Sequence, residues 1–184
     1  MPAGVNKRLG MAVNLNRCVG CSACAIACKS ENNVPPGRLR RWIHEKTAGR
    51  FPDLKMQIWS ESCMHCEDAP CVHSCPTGAS HVDAATGTVQ VHPELCTGCK
   101  ACMASCPYDA RYVHPDGYID KCTLCVHKLE HGEEAACQSI CPTSAIAVGD
   151  LDDPTSEISR WLRDRNALVR KPEAGTKPKF FLVE

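Results

Sequence analysis

Residues 96–107 read Cys-Thr-Gly-Cys-Lys-Ala-Cys-Met-Ala-Ser-Cys-Pro, with the cysteines spaced by three, three and four positions. Similar groups of four cysteines occur three more times, so the chain contains an internal repeat. Three groups end in Cys-Pro, whereas the first ends in Cys28-Lys29. The four groups are Cys18, Cys21, Cys24 and Cys28; Cys63, Cys66, Cys71 and Cys75; Cys96, Cys99, Cys102 and Cys106; and Cys122, Cys125, Cys137 and Cys141.

The pattern C-x2-C-x2-C-x3-C-P of the third group is typical of bacterial ferredoxin segments that bind iron-sulfur clusters. Cysteines three positions apart let one loop present thiolates to three corners of a cubane, and glycine and small residues allow a close backbone approach. A cluster usually loses one iron when the second cysteine of its motif is replaced. That position is cysteine in all four groups, so we predict four 4Fe-4S clusters and no 3Fe-4S cluster.

The fourth cysteine of such a motif ligates the other cluster of a pair, so the groups must combine in twos. Groups two and three follow each other directly, and we pair them; groups one and four then form the second pair. The predicted ligand sets are set A, Cys18, Cys21, Cys24 and Cys141; set B, Cys28, Cys122, Cys125 and Cys137; set C, Cys63, Cys66, Cys71 and Cys106; and set D, Cys75, Cys96, Cys99 and Cys102.

This pairing predicts an α+β, double bacterial-ferredoxin-like fold, with two domains that each hold two 4Fe-4S clusters. The first domain comprises residues 1–54 and 113–150, and the second, residues 55–112, is inserted in it. Residues 151–184 are predicted to form a C-terminal helix and an extended strap that binds a partner.

Short segments between the groups predict the local elements. Asp153-Pro154 precedes a helix that has Ile158, Trp161 and Leu162 on one face. The predicted strands are Leu9–Leu15 and Met56–Trp59, and the predicted hairpins are Val82–Val91, turning at Thr86-Gly87, and Tyr112–Tyr118, turning at Asp116-Gly117.

The composition favours a metal-filled interior over a conventional apolar core. Hydrophobic residues make up 43% of the 184 residues, but that figure includes the 16 cysteines. The 21 basic and 21 acidic residues balance, which predicts no nucleic-acid-binding surface. Sixteen thiolates and four oxidised cluster cores would bring the metallated protein to a net charge of about −8.

Other uses of the cysteines fit less well. Zinc is usually held by two separated C-x2-C pairs, and a c-type haem needs C-x2-C-H, which is missing. Met1–Gly10 has no apolar core of a signal peptide, so we predict no secretory signal, and this disfavours eight disulfides. No stretch of about 18 apolar residues is present, so no membrane span is predicted.

Nothing in the sequence predicts catalysis by this chain. It contains no Gly-rich dinucleotide motif, no P-loop and no H-E-x-x-H. The histidines, including His65 and His127 inside cysteine motifs, are predicted to face solvent or to form hydrogen bonds rather than to ligate metal. Four lysines beside predicted ligands either raise cluster potentials or are surface residues: Lys29, Lys100, Lys121 and Lys128.

Several motifs accompany the cysteines: Cys18-Val-Gly-Cys-Ser-Ala-Cys24, Cys28-Lys-Ser-Glu-Asn32, Pro76-Thr-Gly-Ala79, Cys106-Pro-Tyr-Asp-Ala-Arg-Tyr112, Lys121-Cys-Thr-Leu-Cys125, Gly149-Asp-Leu-Asp-Asp-Pro154 and Lys171-Pro-Glu-Ala-Gly-Thr-Lys-Pro178. With them the chain resembles, over nearly all its length, the four-cluster iron-sulfur subunits of molybdopterin oxidoreductases. This family includes dimethyl sulfoxide, polysulfide, thiosulfate and respiratory arsenate reductases.

The resemblance implies a non-catalytic relay of anaerobic respiration, which passes electrons between a molybdopterin catalytic subunit and a quinone-reactive membrane anchor. The short link from Cys106 to Cys122 resembles the polysulfide and dimethyl sulfoxide type, so a sulfur compound is the leading substrate class and an arsenic oxyanion the second. The alternatives are a soluble polyferredoxin and, from another class, a metal-folded nucleic-acid or scaffold module.

The same resemblance implies a peripheral position on the cytoplasmic membrane. Clusters are inserted in the cytoplasm, so a folded protein without its own signal reaches the outside only with a partner that carries a twin-arginine signal. We favour the periplasmic face, with the cytoplasmic face as the alternative.

Overall fold

The computed structural model of the protein describes residues 7–184, so most of the Met1–Gly10 segment in which no signal is predicted lies outside the described residues. Its strands are β1 Leu9–Asn14, β2 Arg41–Arg50, β3 Asp53–Ser62, β4 Ser80–Val82, β5 Val89–Val91, β6 Tyr112–Val113, β7 Ile119–Asp120, β8 Ile146–Asp150, β9 Ala167–Leu168 and β10 Phe180–Val183. Its α-helices are α1 Ala23–Glu31, α2 Pro70–His73, α3 Ala101–Ala104, α4 Val126–Leu129, α5 Ala136–Ser139 and α6 Glu157–Asp164, and the content is α+β as predicted.

A four-stranded sheet in the order β8-β1-β10-β9 joins distant parts of the chain. All six residues of β1 are buried, because strands lie on both of its edges and other elements cover both faces. β8 follows the fourth cysteine group and pairs with β1 in antiparallel register, with Met11 opposite Val148. The sheet therefore brings the segments beside cysteine groups one and four together.

The predicted hairpins are confirmed. β4 pairs with β5 and β6 with β7, both antiparallel. The predicted strand Met56–Trp59 is part of a longer hairpin in which β2 pairs with β3 over ten residue pairs. Its outer half is exposed, whereas Trp59–Ser62 are buried against the cysteine-containing core.

The predicted C-terminal helix is α6. Ser156 caps it, since its hydroxyl accepts a hydrogen bond from the Ser159 amide at 3.2 Å, an interaction that contributes about 1 kcal/mol. Ile158 and Trp161 pack against Ala12, Ala147 and Val183 on one face of the sheet.

The segment after α6 differs in part from the predicted extended strap. Its middle runs over the loop of the second cysteine group, where the amides of Glu67 and Asp68 donate to the carbonyls of Lys177 and Thr176 at 3.0 and 3.2 Å. Its end, β10, is a strand between β1 and β9. The tail is thus integrated into the fold, and partner binding by its exposed part stays a prediction.

Cysteines make up much of the main core. Eight of them lie among its buried members, next to Met11, Val89, Ile119 and Phe180. Among residues 7–184, no helix combines the length and the apolar character needed to cross a bilayer.

Candidate metal centres

The four cysteines of set A line one cavity. Cys18, Cys21 and Cys24 come from the loop after β1 and the first turn of α1, and Cys141 follows α5. Gly20 in this loop has a φ of 68°, the left-handed region that glycine adopts without strain. Cys21 is exposed and Cys24 is buried.

The four cysteines of set B line a second cavity, and all four are buried. Cys28 lies one turn after Cys24 on α1, so a single helix contributes one cysteine to set A and one to set B. α1 packs against α5, which begins beside Cys137.

The four cysteines of set C line a third cavity. The relation between sets A and B is repeated between sets C and D: α2 contains Cys71 of set C, and Cys75 of set D lies about one turn further on. α2 packs against α3, which contains Cys102. Burial raises the pKa of Cys102, Arg111 lowers it, and the nearby Cys75 and Cys96 of set D raise it again.

The arrangement is not that of a single-ion site. Within residues 7–184, no three His, Cys, Asp or Glu side chains converge closely enough to hold one metal ion. The four thiols of each set therefore fit a multi-iron cubane, which distributes its ligands over several metal atoms, better than they fit one zinc with four Zn–S bonds of about 2.3 Å.

Backbone amides point at the sulfurs. Ser80 and Ala145 donate to Cys75 and Cys141 at 3.3 and 3.2 Å, and Leu124 donates to Cys122 at 3.3 Å. Such N–H···S bonds stabilise thiolate and raise the reduction potential of a bound cluster.

The deepest thiols are hard to ionise without bound cations. Burial raises the pKa of Cys66 and of Cys137 to about 12, and burial with nearby Cys122 raises the pKa of Cys28. Hydrogen bonds have the opposite effect at the rim: burial raises the pKa of Cys75, but the bonds from Ser80 and Thr77 outweigh it and lower the pKa overall. The donor set therefore fits a cationic metal cluster that supplies the missing positive charge.

The four sets form a row in the order A, B, C, D. Set A neighbours set B through α1, and set C neighbours set D through α2. The middle contact joins sets B and C, because the buried Lys121 ammonium donates both to the carbonyl of Cys122 in set B and to the carbonyl of Val89, which lines the set C cavity. The two exposed cysteines, Cys21 and Cys99, belong to the two ends of the row.

Two predictions about other polar residues need revision. His127 bonds to Glu31 at 2.8 Å, as predicted, but His65 is 1% exposed and neither ring nitrogen has a hydrogen-bond partner in the described part of the chain. Lys121 is buried and donates to the carbonyls of Val89 and Cys122. Lys29 is also not a simple surface residue, since its ammonium donates to three backbone carbonyls.

Two buried arginines were missed by the sequence analysis. Arg41 is 1% exposed and Arg111 is 5% exposed, and both contact cysteine sulfurs. Arg111 belongs to the motif that follows Cys106, which gave a signal of its position but not of its contacts.

The chain matches two family models that are both described as 4Fe-4S dicluster domain, one over residues 54–151 and one over residues 17–79. It is 47% identical to Protein NrfC of Escherichia coli (strain K12) over 179 residues, which covers 96% of this chain and 80% of the relative. It is 44% identical to a subunit of the polysulfide reductase of Wolinella succinogenes over 181 residues, 96% of this chain and 94% of the relative. It is 37% identical to the Arsenate respiratory reductase iron-sulfur subunit ArrB of Shewanella sp. (strain ANA-3) over 227 residues, 96% of both chains.

Proposed function

The chain belongs to the 4Fe-4S dicluster family of reductase iron-sulfur subunits, and on this premise we propose that it relays electrons between a molybdopterin catalytic subunit and a quinone-reactive membrane anchor. The observation that carries the proposal is the row of cysteine sets, with an exposed cysteine at each end and buried thiols between. Electrons can enter a row of this kind at one end and leave at the other. The chain itself transforms no substrate in this proposal.

The relay consists of four 4Fe-4S clusters, ligated by sets A, B, C and D. Three cavities, each lined by the four cysteines of one set, support the first three sites, and the effect of Cys75 and Cys96 on the pKa of Cys102 supports the fourth. When bound, the clusters supply one-electron redox chemistry. The cysteines hold them, and the backbone amides at Cys75, Cys96, Cys122 and Cys141 orient the sulfurs.

The proposed domains follow the same pairing. Sets A and B lie in residues 1–54 and 113–150, and sets C and D lie in the inserted residues 55–112. The pairing of β1 with β8 supports this nesting, because it joins the segments before group one and after group four. Residues 151–184 complete the sheet and cover it with α6.

The ends of the row have apolar side chains suited to partner contacts. Val19, between two set A cysteines, is 59% exposed, and Leu95, beside Cys96 of set D, is 49% exposed. Large apolar side chains that surround an exposed redox site are typical of a protein interface. Each end therefore has its own partner, one catalytic and one in the membrane, and the chain is peripheral to that membrane, with the periplasmic face favoured.

The leading substrate class for the complex is a sulfur compound, with an arsenic oxyanion as the alternative. Both alignments cover 96% of this chain, but they differ in length. The alignment with the polysulfide reductase subunit is 181 residues long, and the alignment with the arsenate reductase subunit is 227 residues long. The arsenate subunit thus contains extra segments that this chain lacks. The short link between Cys106 and Cys122 agrees with the sulfur type.

The test is purification from membranes in mild detergent. We expect about sixteen irons per chain, a co-purifying molybdenum subunit, and reduction of the clusters by a quinol analogue only while the anchor is present. Zinc with no visible absorbance would overturn the cluster assignment. A soluble monomer that many unrelated donors reduce would favour the polyferredoxin function, and iron that never changes oxidation state would favour a scaffold.

A further inference from the structure

Each pair of cysteine sets encloses one buried arginine. Arg41, at the start of β2, is 1% exposed, and its Nη1 lies 3.7 Å from the sulfur of Cys137 in set B and 2.9 Å from that of Met11. Its Nε donates to the Ser60 hydroxyl at 2.6 Å, and this hydroxyl lies 3.2 Å from the sulfur of Cys24 in set A. Arg41 thus reaches one set directly and the other through a serine.

Arg111 repeats this arrangement between sets C and D. Its Nη2 donates to the sulfur of Cys71 in set C at 2.9 Å and to the hydroxyl of Ser80 at 2.8 Å. The backbone amide of Ser80 donates to the sulfur of Cys75 in set D at 3.3 Å. In both halves of the row, an arginine and a serine therefore link the two cysteine sets.

Neither arginine has a conventional counterion. Within residues 7–184, neither Arg41 nor Arg111 forms an ion pair with a carboxylate. Arg41 Nη2 and Arg111 Nη1 are buried donors without a partner. A guanidinium with no counter-charge is costly to bury. Apart from the serine hydroxyls and the Met11 sulfur, cysteine thiols face both arginines; burial lowers the pKa of each guanidinium, and the nearby cysteines raise it overall.

We propose that Arg41 and Arg111 are fixed positive charges that raise the reduction potentials of the clusters of their own pair, Arg41 for sets A and B and Arg111 for sets C and D. This inference rests on the proposed function. A reduced cluster has one more negative charge than an oxidised one, so a nearby cation stabilises the reduced form more. A bound cluster would bring sulfide and thiolate sulfurs, which can accept hydrogen bonds from the unpaired Nη groups of Arg41 and Arg111.

The test compares charge-removing and charge-retaining variants by redox titration monitored with electron paramagnetic resonance. In the complete complex, we expect Arg41→Met to lower the midpoint potentials of two of the four clusters, and Arg111→Met to lower those of the other two. Arg41→Lys and Arg111→Lys should stay closer to the wild-type potentials, since they keep the charge. Arg163→Met is the matched control, because within residues 7–184 the polar atoms of this exposed side chain bond only to Asp164.

Unchanged potentials in both methionine variants, or a shift of the same two clusters by both, would overturn the proposal. So would a lysine variant that lowers the potential as much as methionine, since the charge would then not be the cause. An iron-free protein would refute the proposed function instead, whereas four clusters with unchanged potentials would refute only this inference.

If the arginine variants do not fold, a measurement on the wild-type protein tests the same proposal. Protein labelled with 15N-arginine is reduced, and pulsed electron paramagnetic resonance detects 15N nuclei near each cluster. We expect 15N coupling to clusters of both pairs. The absence of 15N coupling would show that no guanidinium contacts a cluster and would overturn the proposal.

Discussion

Met11 and Phe180 lie side by side in the parallel ladder between β1 and β10, although 168 residues separate them. Both side chains are 1% exposed, and Met11 also lines the set B cavity. The last strand of the chain therefore supports the strand on which a candidate cluster site is built.

Removal of residues 180–184 should unfold the sheet and lower the iron content. The buried side chains of Phe180, Leu182 and Val183 each contribute about 1.5–3 kcal/mol. Their sum is a large fraction of the roughly 5–15 kcal/mol that stabilises a domain. Iron analysis and far-ultraviolet circular dichroism on the truncated protein measure the loss.

Lys177→Ala is the matched control, because its side chain is exposed and only its backbone carbonyl is used in the fold. It should keep the iron and, if the exposed strap binds a partner, weaken the complex. A truncated protein with full iron content would show that β10 is dispensable for folding.

Gly98→Ala should destabilise the loop of set D far more than Gly78→Ala. Both glycines have a left-handed φ, 66° and 70°, so both substitutions cost about 1–2 kcal/mol in backbone conformation. At Gly98 the new Cβ would also lie 2.4 Å from the Gly117 carbonyl oxygen, whereas no atom lies within 4 Å at Gly78. The rate of cluster loss to a chelator measures the difference, and equal rates in the two variants would contradict it.

The cysteine pattern indicates the grouping of the thiols more fully than the strands around them, and cluster ligation by these thiols stays a prediction. Loop spacing fixes which three thiols lie together, and the ferredoxin rule adds the fourth, so the cysteines around the three cavities are those of the predicted sets A, B and C. β2 was missed because its residues 45–50 are exposed and lack an alternating apolar pattern. The burial of Arg41 was missed because a charged side chain is buried only where groups of opposite charge surround it. The cysteines that surround Arg41 are distant from it in the sequence.

The position of β10 in the sheet was also not predictable from the sequence. The apolar run Phe180–Val183 indicates burial, but nothing in it identifies β1 as its neighbour. Pairing of this kind depends on tertiary packing, so the sequence alone predicts only an extended strap for this tail.

Cys99→Ala should convert the set D cluster to a 3Fe-4S form. The side chain is exposed, so its loss costs little packing and the other three set D cysteines remain. The measurement is the paramagnetic signal of the oxidised protein, which a 3Fe-4S cluster gives and a 4Fe-4S cluster does not. Cys21→Ala should have the same effect at set A. An unchanged spectrum would show that the substituted cysteine is not a ligand.

Val19→Asp and Leu95→Asp should each impair electron exchange at one end of the row only. Both side chains are exposed, at 59% and 49%, so the stability should change by no more than about 0.5 kcal/mol. A carboxylate at a desolvated interface is costly. Stopped-flow measurements on the purified complex follow cluster reduction by a quinol analogue and cluster oxidation by the catalytic subunit. One variant should slow the first step and the other the second, so each is the control for the other. If both slow the same step, the two ends do not have separate partners, and a single docking site on the chain would explain the result.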